Sequence, residues 1–94
     1  MNKYEMVVIL KPDADEEVRK NVLNTITDSI EADGKVDEVD EWGKRKLAYE
    51  INYIKEGYYI VIDFEADPDS IKEIERRTRI QDSVIRYMVI RRDA

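Results

Sequence analysis

The hydrophobic residues of this chain recur with two periods, and the order of those periods limits the fold more than any other feature. Tyr4, Met6, Val8 and Leu10 alternate as a strand does, with Glu5, Val7 and Ile9 on the other side. Val18, Val22, Ile26 and Ile30 are then four apart, with Leu23 beside them, which is the stripe of an amphipathic helix. Period two returns at Leu47, Tyr49, Ile51 and Tyr53, and again at Tyr58, Ile60, Ile62 and Phe64. Ile71, Ile74 and Thr78 restore helical spacing, and Val84 to Arg92 closes the chain's pattern as a strand. The order is βαββαβ.

The punctuation agrees. Lys11-Pro12-Asp13 stops the first strand, because proline has no amide to donate. Asp13 or Asp15 can cap the first helix, and Asp15, Glu16 and Glu17 suit the positive end of its dipole. Gly34 fits the left-handed position that ends it. Residues Lys35 to Tyr53, with Val36 and Val39 at their start, read as extended and would reach roughly 60 Å. The preceding helix spans only about 25 Å. The strand must therefore bend, break or project, and Gly43 beside Trp42 is the expected bulge. Lys55-Glu56-Gly57 reads as a hairpin loop leading into a third strand, Tyr58 to Ala66. Asp67-Pro68 is an N-cap with proline at the first helical position. In the last strand, Val84, Met88 and Ile90 are expected on one face and Ile85, Tyr87 and Val89 on the other. Each βαβ half takes a right-handed crossover. Two interlocked halves predict an α+β, ferredoxin-like split βαβ fold: a four-stranded antiparallel sheet with two helices on one face. At 94 residues, one domain over 1–94 is expected.

Composition removes most chemistry. There is no Cys and no His, so disulfide, thiol, zinc-knuckle and imidazole chemistry are absent; carboxylate sites for magnesium or calcium stay open in principle, but no metal or cofactor is expected. The three glycines are isolated, so no phosphate-cradling loop exists. Asp28, Glu31 and Asp33, and likewise Asp63, Glu65 and Asp67, are close in sequence, but no apolar pocket or basic partner tunes them. They read as solvated faces. The Gly-flanked loop and arginine of acyl-phosphate hydrolysis do not follow the first strand. A small-molecule sensor would need convergent polar residues at a strand–helix junction, and none is seen. No enzyme activity is expected. No apolar run approaches the ~20 residues of a membrane span, and the start lacks a signal pattern. With no Cys, a cytoplasmic protein is the expectation.

Sixteen Lys and Arg against twenty-two Asp and Glu give −6, which at first argues against nucleic acid. The distribution reverses that inference. The acids concentrate in Asp13–Asp33, in Asp37–Glu41 and around Asp63–Asp69. The bases collect in Lys44-Arg45-Lys46, in Arg76-Arg77 with Arg79, and in Arg86 with Arg91-Arg92. Interleaved with Tyr49, Tyr87 and Met88, they suit phosphate contact and stacking, or alternatively guard sheet edges against aggregation. Arg76 and Arg77 fit better as partners of Glu73 or Glu75 within their own helix. Along Glu56-Gly57-Tyr58-Tyr59-Ile60-Val61-Ile62-Asp63 the stacking positions of an RNA-recognition strand are not met. Val7, Ile9, Val61, Tyr87 and Val89 are expected on the face away from the helices, as a partner surface or a patch screened by long basic stems.

Four segments then resemble one family. They are the opening Tyr4-Glu5, the segment Gly43-Lys44-Arg45-Lys46-Leu47-Ala48-Tyr49-Glu50-Ile51, the entry Gly57-Tyr58-Tyr59, and Arg79-Ile80-Gln81-Asp82-Ser83-Val84-Ile85-Arg86-Tyr87-Met88-Val89. Together they are similar to the bacterial small-subunit ribosomal protein S6 family, most specifically in Gly-x-basic-x-Leu-Ala-Tyr-x-Ile. Trp42 stands where an aliphatic residue is more usual, Asn2 where a basic one is, and Ile85 where a second basic residue often precedes Arg86. The resemblance implies the same ferredoxin-like fold and a structural, non-catalytic place in the cytoplasmic 30S subunit. It also implies binding to the central domain of 16S ribosomal RNA as a heterodimer with ribosomal protein S18. The RNA-side residues it implies are Lys3, Arg45, Lys46, Tyr49, Arg79, Arg86 and Arg91.

Overall fold

The computed structural model describes residues 1–51 and 54–92, and the side chains of residues 1–47 and 55–92. The elements are β1 (Asn2–Leu10), α1 (Glu16–Glu31), β2 (Lys35–Ile51), β3 (Ile54–Ala66), a 3₁₀ turn (Pro68–Ser70), α2 (Ile71–Arg79) and β4 (Val84–Arg91). The strands form one antiparallel sheet in the order β2-β3-β1-β4, so β1 and β3 are central. This is the split βαβ arrangement that the alternating periods predict.

The core lies between the sheet and the helices. Tyr4, Met6, Val8 and Leu10 of β1 stand opposite Phe64, Ile62, Ile60 and Tyr58 of β3. Apart from half-buried Tyr58 these are buried, and the Tyr4 and Phe64 rings stack with centroids 5.5 Å apart. From the other side α1 contributes Val22, Ile26 and Ile30, and α2 contributes Ile74. Thr78 is fully buried beside them; its hydroxyl donates to the Ile74 carbonyl at 2.9 Å, so that hydroxyl is not stranded.

Local signals explain the helix ends. The Val18 amide donates to Asp15 Oδ1 at 2.9 Å, which selects Asp15 over Asp13 as the cap. Asp67 precedes Pro68 as expected, but the first turn it opens is 3₁₀ and α2 proper begins at Ile71. Gly34 does not take the left-handed conformation; Gly43 is the glycine with positive φ. Gly34 is required for a different reason. A Cβ there would run into the Glu65 carbonyl oxygen, because the chain leaves α1 directly against β3.

The long extended segment is one strand. Its 17 residues would span about 56 Å if straight, whereas the longest extent of the molecule is 38 Å. Irregularities between Val36 and Glu38, between Glu41 and Gly43, and between Lys46 and Ile51 bend it. Gly43, at φ 81°, sits in the second of these, as expected. The loop expected at Lys55-Glu56-Gly57 is instead paired strand: Gly57 faces Arg45 and Glu56 faces Lys46. The extended segment was expected to run to Tyr53, which lies outside the described residues.

The faces of β4 are also corrected. Tyr87 and Val89 pair with Val8 and Met6 and turn toward the helices, while Met88 and Ile90 pair with Val7 and Glu5 on the open face. The cause is a register shift between Ile9 and Leu10. It puts Val84, opposite Leu10, on the same side as Val89 despite their odd separation.

Candidate functional site

The sheet face away from the helices carries four cross-strand rows. Their composition changes along the strands. Nearest the Leu10 end, Gly43, Tyr59, Ile9 and Arg86 lie across the sheet, and then Asp40, Val61, Val7 and Met88. The bulge places Trp42 over Tyr59, with the rings nearly parallel (7°) and centroids 6.2 Å apart. The indole N–H donates to Asp40 Oδ2 at 2.9 Å, which fixes the ring's orientation. Next come Glu38, Asp63, Glu5 and Ile90, and finally Lys35, Glu65, Lys3 and Arg92, the last through its amide to the Lys3 carbonyl at 2.8 Å. The face is therefore apolar toward one end, with Arg86 in its outer row, and of mixed charge toward the other, where Glu38, Asp63, Glu5 and Glu65 stand among Lys35, Lys3 and Arg92.

Ile9 and Val61 are buried in the centre of this face although no helix covers them, because their neighbours shield them. Trp42, Met88 and Ile90 are each close to half exposed at 46%, 48% and 47%. Half-exposed apolar side chains beside ordered polar groups are the composition expected of a partner surface. Asp63 departs from the solvated, partnerless face expected of it, because β4 brings Arg92 alongside: Oδ2 meets Arg92 Nη1 at 3.1 Å, while Oδ1 is buried with no hydrogen-bond partner among the described residues. The hollow at that end, about 530 Å³, is walled by Lys3, Lys35 and Arg92 facing Asp37, Asp63 and Glu65. Those opposite charges lie among one another, so the hollow does not converge on one ligand type.

The seven residues implied for RNA fall into three places. Arg45 and Lys46 are exposed on the β2–β3 ribbon. Arg79, in the last turn of α2, and Arg86 border a shared hollow of about 370 Å³ at the β4 edge, lined also by Val84, Ile85 and Tyr87. Lys3 and Arg91 lie at the opposite end of the sheet, where Arg91 Nη2 donates to Asn2 Oδ1 at 3.3 Å. Lys3 and the Ile9–Arg86 pair are separated along β1 by roughly 20 Å. The side chain of Tyr49 lies outside the described residues.

Other bases are engaged structurally. Arg76 Nε donates to Glu73 Oε1 and Arg77 lies 4.0 Å from the same carboxylate. The hydrogen bond from Arg76, helped by the charges of Arg76 and Arg77, holds the Glu73 carboxyl below its ordinary value. Arg19 donates to the Ala14 carbonyl at 2.7 Å and lies over the Tyr58 ring, 4.3 Å from its centroid. Sequence reasoning missed the open-face roles of Met88 and Ile90, hidden by the β4 bulge, and the Trp42–Tyr59 stack, hidden by the β2 bulge. Among the described residues no three Asp or Glu side chains gather as a metal site. Among the described residues no helix is long and apolar enough to cross a membrane.

Comparison with known proteins gives one answer. The family described as "Ribosomal protein S6" matches residues 3–91. "Small ribosomal subunit protein bS6" of Alkaliphilus oremlandii is 54% identical over 91 residues, covering 97% of both chains. The protein of the same name from Clostridioides difficile is 42% identical over 90 residues, covering 96% of this chain and 98% of its own. The crystal structure of 30S ribosomal protein S6 from Thermotoga maritima superposes with a TM-score of 0.90 at 38% identity, over 97% of this chain and 87% of that one. The C-terminal domain of MgtC from Mycobacterium tuberculosis, at TM-score 0.60 and 15% identity, shares the fold alone.

Proposed function

This chain belongs to the ribosomal protein S6 family, and from that premise we propose that it binds the central domain of 16S ribosomal RNA as one half of a heterodimer with ribosomal protein S18. Membership itself makes it a structural, non-enzymatic protein of the cytoplasmic small ribosomal subunit. The proposal concerns what it touches there, acting as a single domain over residues 1–94.

The observation that carries the reading is the uneven charge of the open face: its middle rows are apolar and carboxylate-bearing, while exposed cations gather beyond them, Arg86 in the row of Tyr59 itself. The open face, with Trp42, Tyr59, Met88 and Ile90 beside the carboxylates of Glu38, Asp63 and Glu5, suits a protein that is apolar and basic. Glu38, Asp63 and Glu5 repel phosphates from the middle of the face, and the next row restores positive charge through Lys35, Lys3 and Arg92. Lys44, Arg45, Lys46, Arg79 and Arg86 lie toward the other end of the strands, where they meet phosphates. Lys3 and Arg91 contribute at the far end. A chain of net charge −6 gains RNA affinity by bringing a basic partner.

The test is binding to a central-domain transcript by the isolated chain, by S18, and by the pair. The isolated chain binds weakly and the pair tightly. Tight binding by the chain alone contradicts the reading. Replacing Arg45, Lys46 and Arg86 by Ala flattens the salt dependence of pair binding by up to ~0.9 in log–log slope for each duplex phosphate no longer neutralised. An unchanged slope removes those residues from the RNA surface.

A further inference from the structure

β1 stops pairing with β3 at Leu10–Tyr58, yet β2 and β3 continue. Beyond Tyr58 the sheet is a two-stranded ribbon, and the stretch from Gly57 to Ile54 projects it by about 13 Å. This continuation is what the expected loop at Lys55-Glu56-Gly57 concealed.

The charge on the ribbon is two-sided. Lys44 and Lys46 pair with Tyr58 and Glu56, residues on the helix side of β3. Arg45 pairs with Gly57, on the open side, where a Cβ would meet the Ile9 side chain. Lys55, two residues before Gly57 in the same strand, shares that side by alternation. All four cations are exposed. Among the ribbon's described side chains the one acid is Glu56, opposite Lys46.

We propose that the ribbon inserts between two phosphate strands of the RNA, with Lys44 and Lys46 facing one strand and Arg45 and Lys55 the other. This rests on the RNA-binding reading above and adds to it Lys44, Lys55 and the mode of contact. A ribbon lying flat on one surface uses cations on one face only, and the opposite pair adds nothing to binding. A ribbon with phosphates on both sides releases counterions from both. The ribbon is a single sheet layer, about 10 Å thick from face to face with its side chains, which fits the wide minor groove of an RNA helix or the gap between two helices.

The experiment compares salt slopes for central-domain transcript binding by the S18 pair containing four chains: unaltered, Lys44→Ala/Lys46→Ala, Arg45→Ala/Lys55→Ala, and all four replaced. Each double variant lowers the slope by between one and two, and the quadruple variant by their sum. Lys-to-Arg and Arg-to-Lys versions keep the unaltered slope, and thermal melts show that every variant stays folded. If one double variant leaves the slope unchanged while the other lowers it, the ribbon lies flat and the insertion is wrong. If both leave it unchanged but weaken assembly with S18, the ribbon is a protein contact and the proposal is overturned. Loss of RNA binding by the unaltered pair instead refutes the functional reading, and this inference with it.

Discussion

The open face makes a sharp prediction because the chain has a single tryptophan and it stands there. Trp42 is 46% exposed. An aromatic side chain buries about 150–250 Å² in full, so covering the exposed part removes about 70–115 Å² from water. At ~25 cal/mol per Å² this is worth at most about 2–3 kcal/mol. Trp42→Ala should therefore weaken S18 binding by up to roughly 30- to 150-fold. The isolated chain stays folded, since the lost Tyr59 stack is worth only about 0.5–1.5 kcal/mol. Calorimetry measures the affinity. The unaltered chain carries its own reporter: as S18 covers the indole, Trp42 emission moves to shorter wavelength. The reasoning is refuted if S18 binds with unchanged affinity to Trp42→Ala and leaves the Trp42 emission of the unaltered chain where it was.

Four further variants test the packing and the surface charge. Phe64→Ala removes a fully buried ring from the centre of the core and should cost about 3–5 kcal/mol, seen as a fall in Tm of at least ~12 °C. Gly34→Ala should cost about 1–3 kcal/mol through collision with the Glu65 carbonyl, and Gly43→Ala about 1–2 kcal/mol through its positive φ alone, without collision, in denaturant titrations. Glu73 is held below its ordinary value of 4.5, first by the Arg76 hydrogen bond, so its contribution to stability is present above that value and lost as pH falls through the lowered one. The Tm gap between the unaltered chain and Glu73→Gln should close over that acidic range. It should also shrink in salt, because the pair is exposed.

Much of the fold was legible because it rests on local chemistry. An aspartate cap at Asp13 or Asp15, the Val22-Ile26-Ile30 stripe, the Ile74 and Thr78 face of α2 and the Gly43 bulge are each written in a few adjacent residues, and the structure had only to choose Asp15. The misread places share a cause. At Gly34 the constraint is a carbonyl of β3, distant in sequence, so glycine's familiar role as a left-handed terminator was the wrong explanation. At Lys55-Glu56-Gly57, glycine and charge imitate a turn, while the strand continues because β2 pairs with it and Ile9 crowds the glycine. Along β4 a single register shift exchanges the faces, and alternation counted along the chain cannot detect a shift set by its neighbour. For the candidate site, the basic segments were visible, but not their division into the ribbon, the β4 edge and the far end.

By itself the sequence determined the kinds of element, their order, the absence of thiol and imidazole chemistry, and the family. These depend on residue type and on spacing within one turn or a few strand positions. Tertiary structure alone decided which of two equally apolar faces of β4 looks outward, that Trp42 stacks on Tyr59, and that a basic ribbon projects with cations on both sides. Those outcomes depend on register between strands. A bulge of one residue reverses every side chain beyond it at almost no cost to the composition that a sequence displays.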